Sequence, residues 1–250
     1  MSGSRRSTLD RVRSGSATDV GRVRGHNEDS LLDAPGAWFV ADGLGGHAAG
    51  EVASRLAVDV LEELTSHPAA GPDDVVALVS RANHRILAAQ REDRGRAGMG
   101  TTLTGLTLVG PDEGVEWAVV NVGDSRVYRV VDDGIEQITR DHSEVRELVD
   151  AGLLDPADVP SHPMRHIITR SLGATADVEP DAWVRPVVSG ERFVVCSDGL
   201  SNELDDETIR SLVVGAGDDP QAAADALVEA ALEAGGRDNV TVVVLVVDAT

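Results

Sequence analysis

The stretch Asn239–Val247, NVTVVVLVV, is apolar at almost every position. A strand with one wet face alternates apolar and polar residues, so this run must have both faces covered. Four further segments read as strands joined by short turns: TTLTGLTLVG (101–110), GVEWAVVNVG (114–123), RVYRVVDDG (126–134) and IEQIT (135–139). Turn signals at Pro111–Gly114, Gly123-Asp124 and Asp132–Gly134 separate them, and their order predicts an antiparallel meander. A doubly covered strand in an antiparallel setting points to two sheets packed face to face with helices outside.

Helical spacing supplies the outer layers. GEVASRLAVDVLEEL (50–64) places Val52, Leu56, Val60 and Leu64 on one face with Leu61 beside them. PDDVVALVSRANHRILAAQRE (72–92) starts on Pro72 with acidic residues in its first turn, and DPQAAADALVEAALEAGG (219–236) runs from an Asp cap to a Gly-Gly stop. A short helix fits SEVRELVDAG (143–152), inside a segment from about 141 to 180 that otherwise lacks a clean period and reads as a partly irregular insertion.

At 250 residues and 42% hydrophobic, the chain can bury a sizeable core. Aromatic residues contribute only 2%, so that core is built from Val, Leu, Ile and Ala. No repeat or linker divides it, and 17–248 reads as one domain after a polar, Ser/Arg-rich tail, 1–16, expected to be disordered. The 43 acidic against 22 basic residues give a net charge of -21, which disfavours nucleic acid and anionic membranes as partners. The single cysteine, Cys196, forbids an internal disulfide and an all-cysteine zinc site. No apolar run is long enough to span a bilayer or to serve as a signal segment, so a cytoplasmic monomer is expected.

Four of the apolar strands meet an aspartate at one end: Asp42 in FVADG, Asp124 in VVNVGDSR, Asp198 in VVCSDG and Asp238 in RDNVTVVV. Each acid sits beside a glycine or small residue, and each is also a good turn former. If they converge, they cannot all ionise without a cation, and hard oxygen ligands suit Mg²⁺ or Mn²⁺. VRGHNEDS (23–30) adds Glu28, Asp29 and Arg24, whose guanidinium fork matches a phosphate.

In order along the chain stand GRVRGHNEDS, ADGLGGHAAGEVAS, GMGTTLTG, VGDSRVY, ITRDHS, SHPMRHIITRSLG, CSDGL and GGRDNVTVVV. From about Asp19 to Val247 this series resembles the metal-dependent protein phosphatases, the type 2C serine/threonine phosphatases of the PPM family, in their bacterial form. The resemblance implies an α+β fold, a four-layer α-β-β-α sandwich of two mostly antiparallel sheets with a metal cleft at one sheet edge. It implies two Mn²⁺ or Mg²⁺ ions bridged by Asp42, with the Gly43 carbonyl, Asp198 and Asp238 as ligands and Glu28 acting partly through water. Arg24 is then the phosphate-binding residue, and Asp124 serves a weaker third metal. The implied reaction is hydrolysis of phosphoserine and phosphothreonine in proteins by in-line attack of a bridging water, opposing serine/threonine kinases. The insertion at 141–180 corresponds to a flap beside the cleft.

Two departures stand out. His47, a candidate proton donor, comes four residues after Gly43 rather than directly after Asp-Gly, and Asn202 occupies a position where some members carry a third-site aspartate. Cys196 has no Arg six positions on, as a cysteine phosphatase needs, and no nucleophile elbow surrounds the serines of GDS or CSDG. The alternative is a phosphatase-like sensor that binds metal or partner without turnover; retention of Arg24 with Asp42, Asp198 and Asp238 favours the enzyme.

Overall fold

The computed structural model describes residues 5–45, 49–111 and 114–248. The chain begins with helix α1 (Arg5–Leu9) and strands β1 (Val12–Asp19), β2 (Ser30–Ala34), β3 (Ala37–Ala41) and β4 (Gly43–Leu44). Helices α2 (Ala49–Leu61), α3 (Glu63–Ser66) and α4 (Pro72–Glu92) follow, then strands β5 (Gly100–Thr101), β6 (Leu103–Val109), β7 (Glu116–Val122), β8 (Arg126–Val131) and β9 (Gly134–Gln137). Helix α5 (Glu144–Asp150), strands β10 (Asp181–Pro186) and β11 (Arg192–Cys196), helices α6 (Asp198–Ser201), α7 (Asp206–Gly215) and α8 (Pro220–Ala234), and strand β12 (Val240–Val247) complete it.

Two five-stranded sheets form, ordered β1-β12-β11-β8-β9 and β10-β7-β6-β3-β2, and β4 pairs with β5 beside them. All the strand pairs are antiparallel. The alternation within β12 explains its uninterrupted apolar run. Val243, Leu245 and Val247 pack between the sheets with Trp38, Leu106, Trp117 and Phe193, while Val240, Val242 and Val244 pack outward with Leu227, Val228 and Ala231 of α8. On the other side, Phe39, Leu103 and Val120 lie under Val60 and Leu61 of α2 and Val79 and Ile86 of α4. The result is the expected α-β-β-α sandwich. The few aromatic rings sit at its centre, where Trp117 meets Trp38 and Phe193 edge-on at centroid distances of 5.8 and 5.4 Å. Among the described residues, no helix is long and apolar enough to cross a membrane.

Two expectations are corrected. The segment 1–16, read as a disordered tail, contains most of β1, which pairs along its full length with β12 from Val12↔Val247 to Asp19↔Val240. Its sequence, VRSGSATD, carries little apolar signal because what it supplies is backbone pairing to a strand that would otherwise be an exposed edge. The meander is also broken. β6 and β7 pair in one sheet, β8 and β9 in the other, and the chain changes sheets at Gly123–Ser125. Gly123 makes this possible with φ +110°, at a point where a Cβ would lie 2.6 Å from Thr102 Cγ2.

Trp117 touches both sheets and is fully buried, so Trp117→Ala is expected to cost about 3–5 kcal/mol of unfolding free energy. Urea denaturation followed by circular dichroism measures this, and a loss under about 1 kcal/mol would contradict the packing described.

Candidate active site

Topology brings the acids to one place. β3 and β11 belong to different sheets and run into Asp42 and Asp198 respectively, β12 starts just after Asp238, and Asp124 lies on the crossover from β7 to β8. All four line a single cleft of about 510 Å³, together with Arg24, Glu28 and Gly43.

Asp42 is held by its backbone. The Asp42 N–H donates to Thr102 Oγ1 at 2.9 Å, and its carbonyl accepts from the Thr102 N–H at 2.9 Å and Thr101 Oγ1 at 2.8 Å. At Gly43 a Cβ would stand 2.5 Å from the Glu28 carbonyl oxygen and 2.5 Å from the Gly50 carbonyl, so only glycine lets these three backbones meet. Glu28 donates its N–H to Asn239 Oδ1 at 2.8 Å, and Asn239 Nδ2 donates to the carbonyls of Val20 and His26 at 2.9 Å each. One amide side chain thus clamps the whole loop that carries Arg24. Arg24 itself is half-exposed at the mouth, its Nη2 2.6 Å from Asp238 Oδ2.

The electrostatics are those of an anion cluster. Burial pushes the Asp42 carboxyl well above the usual range, and Asp29, Asp198, Asp124 and Asp238 push it further. Asp124 is raised by burial and then by Asp198 and Asp141, with Arg126 opposing. Burial raises the Asp198 carboxyl and Asp238 raises it further. Buried carboxylates this crowded cannot all stay ionised without a cation. Asp29 is carried up to about 7, by burial first, against the hydroxyls of Thr241 and Ser197. Oδ1 of Asp124 and Oδ1 of Asp198 are buried with no hydrogen-bond partner. These orphaned, buried oxygens fit hard divalent cations. Among the described residues no three acids or imidazoles form a ready-made cage, a geometry compatible with cations that keep much of their water.

The structure therefore gathers Arg24, Glu28, Asp42, Gly43, Asp124, Asp198 and Asp238 in one cleft, while His47 lies outside the described residues. Asn202 also lines it, and its Nδ2 donates to Asp198 Oδ2 at 2.9 Å. From the 141–180 insertion, Arg165, His166 and Ile168 reach the cleft wall. Sequence reasoning assigned no role to Thr102 or Asn239; their adjacency to Gly100-Thr101 and to Asp238 was the available signal.

A family model described as Protein phosphatase 2C matches residues 24–216. The chain is 42% identical over 240 residues to the serine/threonine protein phosphatase PstP of Mycobacterium tuberculosis, covering 93% of this chain and 44% of that protein. It thus spans less than half the length of that relative. It is 33% identical over 239 residues to the serine/threonine phosphatase stp of Listeria innocua, covering 91% of this chain and 93% of that one. Among solved structures, the catalytic domain of PstP in complex with two manganese ions superposes with a TM-score of 0.86 at 38% identity, covering 95% of this chain and 99% of that chain.

The raised acids set a stability profile. A carboxyl whose folded pKa exceeds its unfolded value favours the folded state most at low pH, and that contribution is lost as pH rises through the folded value. With Asp29 at about 7 and Asp42, Asp124 and Asp198 raised, the chelator-treated protein should lose stability progressively as the pH rises from about 4, the unfolded carboxyl value, to about 7. Asp42→Asn should flatten the slope. Thermal unfolding across that range is the check, and equal slopes in both proteins would contradict the cluster.

Proposed function

The chain belongs to the protein phosphatase 2C family, and from that premise we propose that it is a metal-dependent protein-serine/threonine phosphatase. The observation that carries this reading is the convergence of Asp42, Asp124, Asp198 and Asp238, with Arg24 at the mouth, in one cleft. In this reading Asp42, Asp198, Asp238 and the Gly43 carbonyl hold two Mn²⁺ or Mg²⁺ ions, Glu28 contributes partly through water, and Asp124 serves a weaker third. When bound, such ions supply a nucleophile at neutral pH and neutralise phosphoryl charge.

The chain's own residues do the rest. Thr101 and Thr102 fix the backbone of Asp42, so its carboxylate needs no reorganisation to act. Arg24 exchanges its Asp238 partner for the equatorial oxygens of the phosphoryl group, a charge-assisted contact that orients phosphorus for in-line displacement. His47 is the candidate proton donor to the leaving alkoxide. Asn202 directs its amide N–H₂ to Asp198, so it offers that acid a donor and weakens a third site relative to an aspartate. The insertion at 141–180 acts as a flap that tunes access. The substrates are phosphoproteins modified by serine/threonine kinases, and the protein works as a cytoplasmic monomer.

Phosphate release from a small aryl phosphate and from phosphoserine and phosphothreonine peptides should require Mn²⁺ and fall at least about a hundredfold in Asp42→Ala, more than loss of an outer supporting partner costs. Equal rates with metal, without it and in the variant would sink the enzyme reading and leave the sensor. Adding Mn²⁺ in weak buffer near neutral pH should also release protons from the raised acids, Asp29 and Asp42 among them, and Asp42→Asn should release fewer.

A further inference from the structure

The crossover that carries Asp124 is gripped at both ends by two adjacent residues, Asp141 and His142. On the far side, Asp141 binds the Arg126 guanidinium in fork geometry, Nε to Oδ1 at 3.0 Å and Nη2 to Oδ2 at 2.7 Å. On the near side, the Gly123 N–H donates to His142 Nδ1 at 3.1 Å, and the His142 N–H donates back to the Gly123 carbonyl at 2.9 Å. Asn121 Nδ2 adds a donor to the same carbonyl at 3.0 Å. After His142 the 141–180 flap segment runs out and returns to the same point. The Thr169 N–H donates to the His142 carbonyl at 2.8 Å, the Glu144 N–H to the Ile167 carbonyl at 2.9 Å, and Ser143 bridges Ile168. Arg165, His166 and Ile168, just before that return point, line the cleft.

The imidazole's own chemistry is fixed by these contacts. A backbone N–H can donate only to an unprotonated ring nitrogen, so Nδ1 carries no proton and any ring proton is on Nε2. Nε2 lies 3.2 Å from Asp181 Oδ2, off the line of a hydrogen bond, and Arg170 Nη1 holds the other oxygen of Asp181 at 2.9 Å. The ring is only 6% exposed.

We propose that His142 is a positioning residue whose neutral imidazole, accepting from Gly123, ties the Asp124 loop to the base of the flap, so that the acid and the flap are placed together. Protonation would turn Nδ1 from acceptor to donor and break the tie. Burial keeps the ring neutral and lowers its pKa, Arg170 and Arg140 act in the same sense, and Asp181 opposes them. The tie is therefore present above the ordinary histidine value and lost as the pH falls through the lowered one.

Two variants of the full chain separate this from a packing role. His142→Asn keeps an acceptor at the Nδ1 position and does not titrate, whereas His142→Leu fills the space without an acceptor. In the chelator-treated protein, ¹⁵N-histidine NMR should show Nδ1 unprotonated at about pH 7.5. Protection of the Gly123 amide and of those across 143–169, corrected for intrinsic exchange, should fall together in wild type once the pH drops below the ordinary histidine value, stay high in His142→Asn, and be about tenfold weaker at both places in His142→Leu. With Mn²⁺ and an aryl phosphate, kcat should fall about tenfold in His142→Leu and be largely restored in His142→Asn, the lower end of what lost support around a site costs. Like behaviour of the two variants, independent exchange of Gly123 and the flap, or a protonated Nδ1 would overturn the proposal. The kinetic arm rests on the phosphatase reading, but the tautomer and exchange arms do not. Absence of turnover would count against that reading alone, and the other two arms would still decide the role of His142.

Discussion

Asp42 and Asp198 leave strands of two different sheets and are buried in one acidic cleft, and that convergence sets the terms for the rest of the structure. Gathering carboxyls there is unfavourable, since burial raises both, the neighbouring acids raise Asp42 further and Asp238 raises Asp198. The sandwich supplies the force that holds them there. Val243 and Leu245 of one sheet pack against Trp38 and Leu106 of the other, and the inter-sheet aromatic cluster fixes the spacing at the centre. A sheet edge displaced by an ångström would separate the acids, and an aliphatic core at crystal-like density resists that displacement. The cluster is thus strain that the core carries, and a cation relieves it.

Local hydrogen bonds convert that coarse placement into a fine one. Thr102 illustrates the economy of the arrangement. Its hydroxyl accepts from the Asp42 N–H and lies 2.7 Å from Ser125 Oγ, beside Asp124, so one side chain touches the supports of two acids from different strands. Asn239 does the same for the loop bearing Arg24, joining Val20, His26 and Glu28 to the residue after Asp238. Both are buried polar groups with their hydrogen bonds made, the condition under which such groups rigidify a site instead of weakening it.

The fold was legible because the apolar runs are long and the strand ends are marked. The pattern of Val240–Val247 required cover on both faces, and α8 and the opposing sheet provide it. Pro72–Glu92 is the helix its proline and acids announce. The misses have physical causes. β1 contributes backbone pairing and few buried side chains, so VRSGSATD reads as a tail. The exchange of sheets at Gly123–Ser125 follows a turn signal that in one dimension looks like any hairpin, because the direction of a turn depends on what the strands pack against. Helix α7 was not foreseen; only Ile209 and Val213 of its ten residues are buried, and two buried positions make a faint helical period. The acids themselves were legible as strand-end aspartates. Their supports, Thr102 and Asn239, were not, since adjacency to Thr101 and Asp238 is a weak signal until the partners, far away in sequence, are known.

Charge distribution gives the cleft a direction. The chain carries a net charge of -21, yet Arg24, Arg165, His166 and Arg237 stand on the wall of the cleft whose floor is acidic. Two of these arginines have carboxylate partners, Arg24 with Asp238 at 2.6 Å and Arg237 with Glu203 at 2.9 Å. The two pairs differ in what a ligand would meet. Glu203 is almost fully buried beneath Arg237, whose side chain is largely exposed, so that guanidinium is anchored by a buried carboxylate that a cation in the cleft cannot easily reach. Asp238 is a third exposed and belongs to the acid cluster, so any cation drawn to the cluster competes with Arg24 for it. A guanidinium that loses its carboxylate at half exposure is left with its fork free for another anion. Neutralising the acids and freeing Arg24 are in this way linked, because its partner is an acid of the cluster and not one elsewhere on a surface that offers so many.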